Sequence, residues 1–93
     1  MADADDRQFS VLLFVIGDDE GATSQADALK SLLFENEHSQ NVLRVIDLSR
    51  TPEDALTYDI LAIPTIIREQ PKPAVRIVGD LSDKNRVWSL LTR

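Results

Sequence analysis

Ile60-Leu61-Ala62-Ile63-Pro64-Thr65-Ile66-Ile67 is the stretch on which the reading of this chain turns. Its β-branched residues favour an extended strand, but Pro64 has no N–H to give to a sheet ladder. The proline therefore belongs at the entrance or edge of a strand rather than inside one. Downstream, Pro71-Lys72-Pro73 is a turn, and Ala74 to Val78 alternates as a second, antiparallel strand would. Gly79-Asp80 breaks that strand. Ser82 then offers a cap, Asp83 a first-turn carboxylate, and Val87, Leu90 and Leu91 the apolar face of a last helix, with Arg93 at its dipole-favoured end.

Upstream, Thr51-Pro52-Glu53-Asp54 combines a capping residue, proline at the first helical position and two carboxylates in the first turn. This predicts a short helix ending by Tyr58 or Asp59. Val42 to Leu48 reads as a strand, preceded by a polar turn over Asn36 to Asn41. Ala26, Leu29, Leu32 and Leu33 fall on one face of an earlier helix, with Thr23 or Ser24 as its cap and Asp27 in its first turn. Before an acidic loop from Gly17 to Ala22, the apolar run Phe9 to Ile16 has the pattern of a central strand covered on both faces. Residues 1–8 are expected to be a disordered lead-in and 9–93 a single domain.

Strand, helix, strand with a crossover of this length implies a parallel right-handed unit. The whole order is β-α-β-α-β-β-α, an α/β single domain with a mixed four-stranded sheet, and this resembles the thioredoxin arrangement. In that fold, proline before threonine at the head of a strand marks a cis peptide, so Pro64 is expected to be a structural cis-proline shaping a recognition loop. Redox members of the fold carry Cys-x-x-Cys where the first strand meets the first helix. This chain has no cysteine at all, and the corresponding stretch is Gly17-Asp18-Asp19-Glu20-Gly21-Ala22-Thr23-Ser24. Thiol redox catalysis is excluded, and Thr23 or Ser24 is read as a helix cap in preference to a glutathione-type hydroxyl site.

Composition excludes further classes. The net charge of −6 opposes nucleic-acid binding, which needs a concentrated basic surface. Charge is uneven: residues 1–59 carry 13 acidic and 4 basic side chains, residues 60–93 carry 3 and 6. That polarity suits either an acidic lead-in with solvated helices or a dipole that orients a protein encounter. The longest apolar run, Val11 to Ile16, is far short of the roughly 18–20 residues that span a bilayer. With an acidic N-terminus and no signal-peptide pattern, a cytoplasmic location is expected. Asp18, Asp19 and Glu20 lack the alternate spacing of a Ca²⁺ loop, and His38 is a lone histidine in a polar turn. Trp88 is read as core or core rim. There is no phosphate-binding glycine loop, so no cofactor, metal or catalytic residue is assigned and the chain is read as a non-enzyme.

Val45-Ile46-Asp47, Ile60-Leu61-Ala62-Ile63-Pro64-Thr65, the Pro-x-Pro turn and Arg76-Ile77-Val78-Gly79-Asp80-Leu81-Ser82 occur in an order and spacing that resemble the KaiB clock family over about residues 9–91. The resemblance implies a non-catalytic circadian or stress regulator that binds a KaiC-type hexameric ATPase and controls access of other regulators. It also implies two folds: an oligomeric ground state with a rearranged second half, and a thioredoxin-like, binding-competent state. Where the family usually has glycine in the final segment, this chain has Leu90, and leucine exceeds glycine in helix propensity by about 0.5–1 kcal/mol. The thioredoxin-like state is therefore expected at rest, as a monomer, a family-type tetramer being the alternative. Asp59 replaces a lysine common in the family on its KaiC-facing side. Arg44, Tyr58, Asp59 and Arg76 are the candidate partner-binding residues. The competing reading is a diverged binding module that takes a small ligand in the cleft beside Pro64, or a different protein.

Overall fold

The computed structural model describes residues 8–17, 20–35, 40–79 and 81–93. The expectations placed on residues 1–7, Asp18, Asp19, His38, the rest of 36–39 and Asp80 lie outside the described residues. The elements run β1 (Ser10–Val15), α1 (Glu20–Phe34), β2 (Val42–Asp47), α2 (Glu53–Thr57), β3 (Thr65–Gln70), β4 (Val75–Val78) and α3 (Lys84–Leu91). They form one four-stranded sheet in the order β2-β1-β3-β4. β1 pairs with β2 in parallel and with β3 antiparallel, and β4 closes the far side antiparallel to β3. This is the mixed sheet and β-α-β-α-β-β-α order that the sequence pattern indicates. The second half is in the thioredoxin-like arrangement, with residues 84–91 helical.

β1 is central because nearly every residue in it is apolar and buried, so it can be covered on both faces. Val11, Leu13 and Val15 face α1 and α3, where they meet Leu29, Leu33, Ile66, Ile77, Leu81, Val87 and Leu91. Leu12 and Phe14 face the other way, onto Ile46, Leu48 and Ile67, under Ala55, Tyr58 and Ile60 of the α2 region. The period of two along one strand thus feeds two separate cores. Asn41 ties the start of β1 to the end of α1: its Oδ1 accepts from Phe9 N at 2.8 Å, and its Nδ2 donates to Leu33 O at 2.8 Å.

The three helix starts differ from those the sequence suggests. Helix α1 begins at Glu20, so Thr23 and Ser24 lie inside it and do not cap it. Helix α2 has Pro52 before its first residue and no side-chain cap; the Thr51 hydroxyl instead donates back to Asp47 O at 3.4 Å. Helix α3 is capped by Asp83, which accepts from Arg86 N at 3.1 Å, one residue beyond Ser82. Among the described residues no helix is long and apolar enough to cross a membrane.

Candidate docking site

Parallel and antiparallel registers align side chains across the sheet, and one row matters here. Arg44 on β2, Leu12 on β1, Ile67 on β3 and Arg76 on β4 are register partners in succession. All four therefore project on the α2 face, with an arginine at each edge and apolar residues between. Helix α2 is only five residues long, so it covers the middle of this face and leaves its margins open.

How α2 ends determines what the face presents. Ile60 N donates to Ala55 O at 2.8 Å and Asp59 N to Leu56 O at 3.3 Å. This is the double bond of a Schellman termination, which requires a left-handed residue between helix and exit. Asp59 takes that conformation, at φ 59°. Glycine is the usual choice there, aspartate a tolerated one. Arg76 reaches across from β4, its Nη2 donating to Tyr58 O at 2.7 Å and its Nη1 to Asp59 O at 3.2 Å. A cation at the C-terminal end of a helix also opposes the negative end of its dipole. Beneath, the Tyr58 ring packs on Phe14 with centroids 5.1 Å apart. Tyr58, Asp59 and Arg76 thus form one unit, while Arg44 stands on the same face at the opposite edge and does not join it.

Ala55 and Tyr58, three residues apart, point inward, so Leu56 points outward and is 85% exposed. Leu61, just past the Schellman turn, is 92% exposed. Two hydrogen bonds hold the following loop: the Thr65 hydroxyl donates to Ala62 O at 2.6 Å and Gly79 N donates to Pro64 O at 3.0 Å; the Ile63–Pro64 peptide is cis. It presents Ile63 beside the exposed Ile16, at the rim of a cleft of about 220 Å³ that Pro64, Val15, Ala22 and Gln25 also line. Leu56 escapes a sequence reading because apolar residues in a short helix are assigned to its core side, and Leu61 because it sits in an apolar run leading toward β3. The signal that separates them is the i, i+3 pair Ala55–Tyr58.

Arg44 instead belongs to an open groove of about 610 Å³ along the β2 edge, with Lys30, Arg50, Asp47 and Asp54 among its lining residues. At its floor Asp47 Oδ1 accepts from the Ser49 hydroxyl at 2.7 Å, Gly17 N at 2.8 Å and Ser49 N at 2.9 Å. These bonds, the Ser49 hydroxyl first, then Gly17 N, hold the carboxyl below its ordinary value of 3.8, with a smaller contribution from Arg50. Gly17 is at φ +79°, a left-handed conformation that favours glycine. Among the described residues no three His, Cys, Asp or Glu side chains gather as a metal site would need.

A thioredoxin fold with no cysteine, and with an apolar, well-braced surface around its cis-proline loop, defines a class: a protein that uses this scaffold for docking and not for redox chemistry. The KaiB domain model matches residues 12–92, and the chain belongs to the KaiB family. The circadian clock oscillator protein KaiB of Microcystis aeruginosa is 33% identical over 81 residues, covering 87% of this chain and 78% of that protein. Among solved structures, the N-terminal domain of Synechococcus elongatus SasA superposes with a TM-score of 0.67 at 22% identity, covering 89% of this chain and 84% of that one. Chloroplastic thioredoxin z gives a TM-score of 0.69 at 20% identity, over 95% and 79% of the two chains. Both structural likenesses speak to the fold.

Proposed function

We propose that this chain is a non-catalytic KaiB-type regulator that docks onto a KaiC-type hexameric ATPase and controls the access of other regulators to it. The observation that carries the site is the pair Leu56 and Leu61, both more than four-fifths exposed on a helix end fixed by Arg76. Large aliphatic side chains carried on a braced main chain require less backbone ordering on binding, which favours an interface anchor. Tyr58, Asp59 and Arg76 set the position of that anchor; Arg44 supplies a cation at the other margin of the face. A small-ligand role for the cleft beside Pro64 is less well supported, since about 220 Å³ falls below the roughly 300–1,000 Å³ of ordinary ligand pockets.

The test is co-elution with a KaiC-type hexamer on a sizing column in ATP and in ADP. A complex is expected with the wild type, and Leu56→Asp and Leu61→Asp should abolish it while leaving the circular dichroism spectrum unchanged. Failure to co-elute in either nucleotide removes the ATPase as partner. Wild-type binding by both variants removes this face as the site. We also propose that the thioredoxin-like state is the resting, monomeric form, supported by Leu90 within α3. Native mass with NMR secondary shifts over residues 84–92 decides it, and a tetramer with a strand there would overturn it.

A further inference from the structure

The ladder between β1 and β3 ends at the pair Phe14–Thr65. Continued in the same register, it would join Val15 to Pro64 and then Ile16 to Ile63, but Pro64 has no N–H to give. A cleft opens there instead, and Ile16 and Ile63 both line it. Among the described residues, neither the N–H nor the C=O of Ile63 has a hydrogen-bond partner. As the residue before a proline, Ile63 is confined to extended backbone. Its free donor and acceptor are therefore set as in a strand, where an antiparallel neighbour exchanges both bonds with one residue.

The walls of the cleft are apolar, formed by Val15, Ile16, Ala22, Ile63 and Pro64. Ile16 is 54% and Ile63 41% exposed, so both keep apolar area in water that a guest could cover. At about 220 Å³ the space suits one large aliphatic side chain, and it is small for a free ligand. Charge narrows the guest further. All the lining residues fall within residues 8–29 and 51–67, which together hold seven carboxylates and neither lysine nor arginine. Lys30 lines the separate groove at the β2 edge, and the Arg76 guanidinium is engaged by the Tyr58 and Asp59 carbonyls. The field at the cleft is thus negative, and it selects a positively charged guest.

We propose that the cleft beside Pro64 receives one aliphatic side chain from an extended, cationic segment of a partner protein, whose main chain pairs with the N–H and C=O of Ile63. Lysine or arginine two residues to either side of that aliphatic residue lies on the same face of the segment and meets the carboxylates. This contact is additional to Leu56 and Leu61 and does not depend on what docks against them.

Titration of the ¹⁵N-labelled full chain with the blocked peptide acetyl-Arg-Thr-Leu-Thr-Arg-amide tests the proposal. Saturable NMR shifts are expected at the Ile16, Ala22 and Ile63 amides, with hydrogen exchange at Ile63 slowed about tenfold at saturation. Replacing the peptide's leucine by serine should weaken binding at least about tenfold, and replacing both arginines by glutamate should remove it. In the protein, Ala22→Leu fills the cleft from α1 and should abolish binding; Ile16→Ser should weaken it several-fold with an unchanged circular dichroism spectrum. No shift at millimolar peptide, equal affinity for the leucine and serine peptides, or shifts centred on Arg44 and Val45 would each overturn the site. Undiminished binding of the glutamate peptide overturns the cationic guest. Should Ala22→Leu fail to fold, Ile16→Ser and the peptide series decide. Since no ATPase is present, this result and the co-elution result stand or fall separately.

Discussion

The two faces of the sheet are built to different standards. On one, α1 and α3 lie over Val11, Leu13, Val15, Ile66 and Ile77, and the interior is continuous enough to enclose an arginine. On the other, a helix of five residues with no buried side chain of its own sits over Leu12, Phe14, Ile46 and Ile67, and large apolar residues face water beside it. The same central strand serves both. Two longer helices bury area on one side, and the face proposed for docking is the one where α2 is too short to close the layer. A docking protein gains from this division, because its binding face can change without loss of the main core.

The contrast can be broken most directly in the larger core. Leu29→Ala, at a fully buried α1 position, should cost about 2–5 kcal/mol in urea denaturation. A cost below about 1 kcal/mol would mean that this face is not the principal store of stability. Leu56→Ala should instead leave unfolding within about 0.5 kcal/mol of the wild type, yet weaken binding to a KaiC-type hexamer by at least about tenfold. An effect on stability with none on binding would reverse the assignment of roles. Asp59→Gly should stabilise by about 0.5–1 kcal/mol, since glycine adopts the left-handed turn after α2 without the aspartate's steric cost. A loss on that substitution would show that the Asp59 side chain contributes to the fold.

The smallest expected effect is that of pH. The Asp47 carboxyl is held below its ordinary 3.8 in the folded chain, so in acid the unfolded chain binds more protons than the folded one. The stability this gives is complete above the unfolded value and is lost as pH falls through the lower, folded one. Urea midpoints between pH 2 and 6 should decline less steeply in Asp47→Asn than in the wild type. Identical slopes would show that the bonds from Ser49 and Gly17 do not bias its titration.

The order and pairing of elements were legible in the sequence because they rest on hydrophobic period and on Gly and Pro, which act locally. Pattern alone placed β1 at the centre and Pro64 at the head of β3. Helix starts were less legible: Ser82 has a chemically equal competitor in Asp83, the Thr51 hydroxyl turns back to Asp47 O, and Thr23 falls inside α1. Tyr58, Asp59 and Arg76 could be nominated, but their bonding could not, because it depends on a left-handed turn meeting a side chain from a strand 18 residues away from Tyr58. Arg68 gave the opposite difficulty. It shares a face with Ile66 two residues earlier, but arginine's usual place is the surface, and the main-chain oxygens that accept its hydrogen bonds belong to remote segments.

The chain contains one tryptophan and one tyrosine, and the fold has put them on opposite sides of the sheet. Trp88 meets Phe9 edge-on at 6.0 Å beside the α1/α3 core, and Tyr58 lies over Phe14 on the α2 side. Each layer therefore carries its own chromophore. Indole emission, excited selectively, follows the α1/α3 layer; phenol absorbance follows the α2 layer. Recorded together through one melt, the two traces either superimpose, and the layers form a single cooperative body, or separate in temperature by the difference in their stabilities.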